Sequence, residues 1–527
     1  NIPMLILSSF FLSKTIYLLF DDKKLARYSY ILLLGFFQLN CYVTFVYGTL
    51  YGLAASVAGI FLLIKYFKKR NIVNGLAGIS LLSIGYGFKS NYLIMIVAAC
   101  LLLLFDAIVK KSLKSVISLV WGIVFYVVVV TSISSTIYHF TGKKVDEGTP
   151  NTAWVAMGLQ ESYKAPGWWN GYNVKVFADN EYDISKTKEA ISQNISERME
   201  ELKKDKDYTM SFFSKKTASQ WSEGTFECFY ITNLDRGRLS NPTWTDSVKN
   251  LMVDGHSANR AVTTICNYFI VFLWLGIILF LIFDFRKLDA YKLIFAITFI
   301  GGFLFHLVWE AKGQYTIIYA YLMIPYMLRG YQLLLRRVCN ISLGEKEAKE
   351  KRGTIIPVVV IALVVIVIGI SNNKVVNETI KLNGDKERYE SYMSHQVDDL
   401  DDGYYTIIPA NDSSVTLAGL IGNDKKYSDK FVVDCSLISL CGKNSNEISE
   451  QSLGILEGKI DPGTSVGLSA TDRSIFQRWI VKKVKDNTYE IYDEYNLALA
   501  YDKKEKKLSI EQYTGDKNQQ WVIYLAK

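Results

Sequence analysis

The sequence predicts a mainly α, polytopic membrane protein that carries an external all-β domain in its C-terminal part. Three observations lead there. Mean hydropathy is +0.14 over 527 residues, half of them hydrophobic, although the last third is polar. So apolar an average in so long a chain requires membrane spans beside a water-facing part. Apolar runs of about 20 residues, the length that crosses a bilayer, recur up to residue 371. Past residue 403, short alternating segments bounded by turn residues take over.

The same composition excludes a soluble enzyme, a disordered chain and a disulfide scaffold. The net charge of +8 comes from 59 Lys and Arg against 51 Asp and Glu, gathered in short loops between apolar runs. That is membrane topology and not a face for nucleic acid. The seven cysteines show no metal-ligand spacing. Cys41, Cys100 and Cys266 lie in apolar runs and Cys339 in a basic loop, while Cys435 and Cys441 either close a small loop or stay unpaired.

Ten candidate spans follow, at 3–20, 28–46, 50–66, 72–88, 91–109, 115–133, 263–284, 291–309, 316–335 and 354–371. Every second connection is basic: Lys23, Lys24 and Arg27; Lys65, Lys68, Lys69 and Arg70; Lys110, Lys111 and Lys114; Arg286 and Lys287; then Arg336, Arg337, Lys346, Lys349, Lys351 and Arg352. These connections are expected in the cytoplasm and the others outside. Residue 1 is then expected outside. No signal peptide pattern opens the chain, so a fragment preceded by at least one further span is expected.

Two external segments are long. Residues 134–262 hold an aromatic cluster, Trp154, Trp168, Trp169 and Tyr172, then an amphipathic stretch over Ile184–Trp221 with Ile191, Ile195, Met199 and Leu202 on one face. The linker 372–402 contains Asp398, Asp399, Asp401 and Asp402. A calcium loop would need a ligand at Leu400 and a closing glutamate, so the run reads as a solvated linker.

Within 403–527, Gln477-Arg478-Trp479 and Gln519-Gln520-Trp521 repeat at a spacing of 42. Tyr404-Tyr405-Thr406-Ile407 and Tyr489-Glu490-Ile491 open units, followed by Val415-Thr416-Leu417 and Leu497-Ala498-Leu499. A period near 40 makes about three units, in which each Trp fills a lobe core and each Gln bonds the backbone. This tail resembles a ricin-type β-trefoil lectin domain, known by its Q-x-W repeats. The resemblance implies carbohydrate binding through an Asp after each opening strand, but Ala418 and Ala500 stand at the comparable places. A trefoil kept as a spacer is the other reading.

No Walker loop, G-x-S-x-G or H-E-x-x-H motif occurs, and there are four histidines, His139, His256, His306 and His395. The glycines of Gly75–Gly87 fall inside a run, where small residues let helices pack closely. Polar groups gather at the outer boundaries instead: Tyr47-Gly48-Thr49, Lys89-Ser90-Asn91-Tyr92, and His306 with Trp309, Glu310, Lys312, Gln314 and Tyr315. Lys89 runs against the positive-inside trend. It either snorkels to the interface or pairs with a lipid-linked phosphate.

Several segments resemble bacterial relatives of the protein O-mannosyltransferases, glycosyltransferase family 39, in the C-type superfamily. They are Thr44-Phe45-Val46-Tyr47-Gly48-Thr49, Lys65-Tyr66-Phe67-Lys68-Lys69, Gly87-Phe88-Lys89-Ser90-Asn91-Tyr92 and Trp309-Glu310-Ala311-Lys312-Gly313-Gln314-Tyr315. Ala153–Leu159 and Gly167–Asn173 look like that family's external loop. The resemblance spans roughly 1–335. It implies transfer of a sugar from a polyprenyl-phosphate donor to a protein or cell-envelope glycan acceptor on the extracytoplasmic face, with membrane lipid as the other partner and no nucleic acid. The family's catalytic Asp sits in its first external loop, which is expected ahead of Asn1. Thr49 stands where many members carry an acidic residue, and an Arg is usual near Gln314. Lys89, with Lys312 or Tyr47, is the candidate for the phosphate side. Glu310 is either a second polar group there or a partner of Lys312. No cofactor is assigned. A membrane-anchored surface lectin is the alternative, and a transporter is a third, disfavoured because Lys14 is almost the lone mid-span charge and no inverted repeat is visible.

Overall fold

The computed structural model describes residues 1–45, 47–143, 148–162, 165–232, 248, 251–252, 257–284, 289–338, 356–380, 403–421, 427–434, 437–442, 448–456, 460–470, 475–493 and 497–525. Val46, His256, Arg286, Lys287, Cys339, Lys346, Lys349, Lys351, Arg352, His395, the Asp398–Asp402 run and Cys435 lie outside them. The chain divides into two compact units. One takes Asn1–Trp169, Asn173–Thr232 and Val262–Ile380, the other Asn170–Tyr172, Asn233–Ala261 and Lys381–Lys527.

The first unit is helical. Its helices are α1 (Ile2–Phe20), α2 (Lys23–Leu34), α3 (Phe37–Cys41), α4 (Thr49–Lys69), α5 (Ile72–Phe88), α6 (Leu93–Val109) and α7 (Leu113–Thr141), then α8 (Thr152–Gly158), α9 (Tyr172–Asp179), α10 (Ile184–Lys204), α11 (Lys206–Trp221) and α12 (Cys228–Thr232), then α13 (Ser257–Asp284), α14 (Ile294–Val308), α15 (Gly313–Arg337) and α16 (Ile356–Ile380). Among the described residues, seven helical stretches are long and apolar enough to cross a membrane: Ile2–Phe20, Thr49–Lys69, Ser90–Val109, Leu113–Thr141, Ser257–Asp284, Ala290–Val308 and Val358–Thr379. On α7 the side chains of Val120, Ile123, Val127 and Phe140 are all exposed, an apolar surface that suits lipid and not water.

Of the ten expected spans, seven coincide with these stretches, and the other three do not meet the same length and apolarity, for identifiable reasons. The run 28–46 is no continuous helix. α2 stops at Gly35, Phe36 turns extended (φ −68°, ψ 92°), and only the short α3 and a single 3₁₀ turn follow. The run 72–88 is helical but spans only 17 residues, and 316–335 lies in α15, whose tyrosines, glutamines and Arg329 make it too polar. α15 is instead the buried centre of the bundle, with Thr316 through Met327 all packed inside. α4 and α5 pack through glycine. A Cβ on Gly59 would lie 2.6 Å from the Gly78 carbonyl oxygen, so the backbones touch where any other residue would part them.

The helical unit has two distinct ends. At one, Lys68 Nζ donates to the Leu18 carbonyl (2.8 Å), Lys114 Nζ to the Arg70 carbonyl (2.9 Å), and Gln332 Nε2 to Asp22 Oδ2 (2.6 Å). Arg70 grips Asp106 with both guanidinium nitrogens at 2.5 and 2.8 Å. The basic connections after α1, α4, α6 and α15 therefore share one end. At the other end Asn1 Nδ2 donates to the carbonyls of Val43 and Phe45, 2.8 and 2.9 Å away. The segment 148–232 joins that second end, and α16 finishes there too, because Asn372 Nδ2 donates to the Ser222 carbonyl at 3.0 Å.

Segment 148–232 folds around Leu159, Leu202 and Phe212, with Val155, Ile195, Tyr208 and Phe213 packed on them. Asp183 and Asp205 start α10 and α11 by accepting the Lys186 and Tyr208 amides, each at 2.9 Å. Ile195 and Leu202 face this core and Ile191 is buried, as the periodicity predicts, whereas Met199 is exposed.

The tail in the second unit is one antiparallel sheet of ten strands: β1 (Gly403–Pro409), β2 (Tyr427–Asp434), β3 (Leu437–Gly442), β4 (Ile448–Ile455), β5 (Val466–Ala470), β6 (Trp479–Lys485), β7 (Thr488–Asp493), β8 (Leu497–Asp502), β9 (Lys507–Gln512) and β10 (Gln520–Leu525). A short helix, α17 (Leu417–Leu420), sits between β1 and β2. The order is β5-β4-β3-β2-β1-β10-β7-β8-β9, with β6 on β7, so the first strand of the tail pairs with the last. Phe431 sits on β2, which pairs with β3, Trp479 on β6, which pairs with β7, and Trp521 on β10, which pairs with β1.

Candidate functional site

The site is assembled from helix ends. Gly48 precedes α4, and a Cβ there would fall 1.9 Å from the Phe88 carbonyl oxygen, so only glycine lets the start of α4 meet the end of α5. Lys89 leaves α5 in extended conformation (φ −157°, ψ 124°), which ends the helix and turns its side chain back. Its Nζ donates to Thr49 Oγ1 at 3.0 Å, and Tyr92 OH donates to the Thr49 carbonyl at 2.6 Å. The ammonium lies 4.8 Å from the Tyr47 ring centroid and 5.5 Å from that of Tyr315, within cation–π range. Lys89 is only 8% exposed. Burial, assisted by the positive charge of Lys312, pushes its ammonium down to about 7.

The facing wall is the connection between α14 and α15. The Ala311 amide donates to the Gly167 carbonyl at 2.7 Å, and Trp168 pairs with Ala311 as an isolated parallel bridge, so segment 148–232 holds this connection in place. Glu310, 2% exposed, accepts from Tyr315 OH at 3.1 Å. Burial pushes its carboxyl up, against the pull of Lys312, the Tyr315 hydroxyl and Lys216. Glu227 Oε2 accepts the Gln314 amide at 3.1 Å, a carboxylate at the N-terminus of α15.

Lys216 fixes the back of the site. It is 1% exposed and donates to the carbonyls of Leu307 (3.0 Å), Trp309 (2.8 Å) and Gly158. Three N–H bonds meet three carbonyls. Burial pushes this ammonium down to about 7, with Glu310 pulling the other way. Trp154 stacks parallel to Trp309 with centroids 6.4 Å apart, and Trp168 Nε1 donates to Ser219 Oγ at 2.7 Å.

Tyr315 is the hinge of the arrangement. Its ring lies beside the Lys89 ammonium and its hydroxyl bonds Glu310, so Tyr47, Lys89, Glu310 and Lys312 all converge on one small polar cluster. Chemically the cluster offers the buried Lys89 ammonium, the partly buried Lys312 and a carboxyl that burial pushes up, a set suited to an anion such as a phosphate.

In the tail the two repeats make matching bonds. Gln477 Nε2 donates to the Ala470 carbonyl (2.7 Å) and Gln519 Nε2 to the Gln512 carbonyl (2.8 Å). Trp479 Nε1 donates to the Leu453 carbonyl (2.8 Å) and Trp521 Nε1 to the Leu499 carbonyl (2.9 Å). All four residues are buried. The residue after each leucine is Gly454 or Ala500, and Ala418 follows buried Leu417 in the first unit. No carboxylate occupies any of the three.

No protein-family model matches this chain, and no curated protein matches it. Among solved structures it is similar to the crystal structure of a designed 3-fold symmetric protein, ThreeFoil, at 18% identity and a TM-score of 0.19, over 23% of this chain and 98% of that one.

Lys216 and Glu227 were not legible as site residues beforehand. One signal existed: Phe212, Lys216, Ser219 and Gln220 share the buried face of α11 at helical spacing, and a lysine on such a face needs partners. Among the described residues no three His, Cys, Asp or Glu side chains group so as to hold a metal ion.

Proposed function

We propose that this chain is the membrane part of a glycosyltransferase that moves a sugar from a polyprenyl-phosphate donor to an acceptor on the extracytoplasmic face. The observation that carries the reading is the Lys89 ammonium, buried against Thr49 and two tyrosine rings at the end of the bundle opposite the basic connections. A leaving phosphate needs cationic stabilisation in a water-poor place, and Lys89 with Lys312 supplies it. Glu310 holds Tyr315, and through it the position of Lys89; it is a positioning residue here. No residue of this chain is assigned as the base that activates the acceptor.

The sides follow from charge. With the Arg70–Asp106 end in the cytoplasm, Lys89, segment 148–232 and the exit of α16 at Ile380 all face outward. The tail is then extracytoplasmic.

For the tail we read a β-trefoil, with Phe431 replacing Trp in the first Q-x-W place and β1–β10 closing the ring. It serves to position glycan near the transferase end. With Ala418, Gly454 and Ala500 at the places where this fold family carries Asp, glycan contact runs through other side chains.

Membranes carrying the full-length protein, with the segment expected ahead of Asn1, incubated with radiolabelled polyprenyl-phosphate mannose and then with other polyprenyl-phosphate hexoses, test the reaction. Label passing to protein or envelope glycan, and lost in Lys89→Gln, supports it. No transfer from any of these donors sinks it.

A further inference from the structure

Behind Tyr315 the bundle buries polar atoms that bond nothing. His306, near the end of α14, is 0% exposed, and among the described residues neither of its ring nitrogens has a hydrogen-bond partner. Side chains from two other helices share that condition beside it. Tyr319 on α15 is fully buried with an unpartnered hydroxyl, its ring 6.0 Å from the imidazole. Gln220 on α11 is buried too. Its Oε1 accepts nothing, and its Nε2 reaches the Lys216 and His306 carbonyls at the long distances of 3.4 and 3.5 Å. Aromatic rings enclose the imidazole: Tyr315 stacks on it at 5.8 Å, and Trp221 stands edge-on at 6.4 Å. Each buried atom left unbonded destabilises the fold, and an ionisable residue inside a membrane-length helix marks a functional site.

The chemistry of the three side chains narrows the occupant. An imidazole offers a donor and an acceptor, a phenol hydroxyl is both, and an amide oxygen accepts. A phosphate needs donors alone, so this mixed set does not suit it. Hydroxyl groups, which donate and accept in turn, match it, and aromatic walls with a few convergent polar atoms suit a small polyol. The location narrows it further. The Tyr315 ring that stacks on His306 also lies 5.5 Å from the Lys89 ammonium, so the two polar places are one ring apart.

We propose that His306, Tyr319 and Gln220 form the pocket for the hydroxyls of the hexose carried on the polyprenyl phosphate. Lys89 holds the phosphate, and His306 reads the sugar. The inference rests on the donor reading given above. Entry of the sugar turns the Tyr315 ring off the imidazole, and the hydroxyls bond the four unpartnered atoms.

Equilibrium binding to the purified full-length protein in detergent tests this without needing turnover. The probes are bare polyprenyl phosphate and the polyprenyl-phosphate hexoses, mannose and glucose first. One hexose lipid should bind about tenfold more tightly than the bare lipid, the worth of a hydrogen bond or two regained. His306→Phe should abolish that gain and leave the bare lipid bound as in the parent, whereas Lys89→Gln should weaken both lipids alike. Suppose the bare lipid binds but no hexose lipid binds more tightly, or the gain survives His306→Phe. Either result overturns the sugar pocket and leaves the donor reading standing. Binding of neither lipid overturns the donor reading and the pocket with it. Tyr319→Phe covers a His306 variant that packs poorly, because it removes one oxygen and keeps the ring. It should shrink the gain, and a gain undiminished there also overturns the proposal.

Discussion

Trp479 and Trp521, 42 residues apart, make the same bond: each indole N–H donates to the carbonyl of a buried leucine, Leu453 or Leu499, at 2.8 and 2.9 Å. The glutamines two residues ahead also match, each reaching a carbonyl seven positions back. Two segments with different sequences thus solve one packing problem identically. Phe431, on β2, is fully buried without a polar handle.

Truncating these rings should be costly. Trp479→Ala or Trp521→Ala is expected to lose on the order of 3–5 kcal/mol, and Phe431→Ala a similar amount. Expressed as 403–527, the tail should melt in one transition with a β-type circular dichroism spectrum. An unfolded tail, or melting unchanged by both Trp substitutions, refutes the three-unit reading.

Charge at Lys89 should control transfer through pH. Its ammonium is the form that meets a phosphate, and burial brings its titration to about 7. As pH rises through that value the proton leaves, so kcat/KM should fall. Lys89→Gln should be slow at every pH and lack this fall, while expression and melting stay near those of the parent.

Removing Lys216 tests the backbone cage. Lys216→Met leaves three buried carbonyls without a donor and should cost on the order of 3 kcal/mol. The pH dependence has a definite sign. The folded chain releases this proton near 7, whereas the unfolded chain keeps it to the ordinary lysine range. In between, the unfolded state binds more protons, so stability rises with pH there, and Lys216→Met should flatten that rise in detergent melts.

At the opposite end, Asp106→Ala strands Arg70 and removes the acceptor of Ser115 Oγ, 2.6 Å away. The arginine is one-third exposed, so the loss should be about 2 kcal/mol and not the full cost of a buried charge. A melting temperature unchanged by Asp106→Ala means the pair is a spectator.

Much of this was legible in the sequence, and the misses have causes. Apolar runs marked α1, α4, α6, α7, α13, α14 and α16 because lipid demands continuous apolar surface, a signal held in composition alone. The run 28–46 misled because Gly35 and Phe36 break the helix through backbone geometry that hydropathy does not register. α15 differs for another reason: it is enclosed by neighbouring helices, so its tyrosines are shielded from lipid and its polarity costs little. For the site, Lys89 and Glu310 stood out because charge at a span boundary is rare. Lys216 did not, since its partners are backbone carbonyls over 50 residues away, and no residue type announces a carbonyl.

The pairing of β1 with β10 sets Tyr405 opposite Leu525 and Pro409 opposite Trp521, so the start of β1 and the end of β10 lie side by side. A pull between those two points would load this ladder one bond at a time, like a zipper, and not all its bonds together as in shear. The domain is therefore mechanically soft along that one axis, and a tether holding it by both ends would peel it open from its seam while the β4–β5 and β8–β9 hairpins still stood.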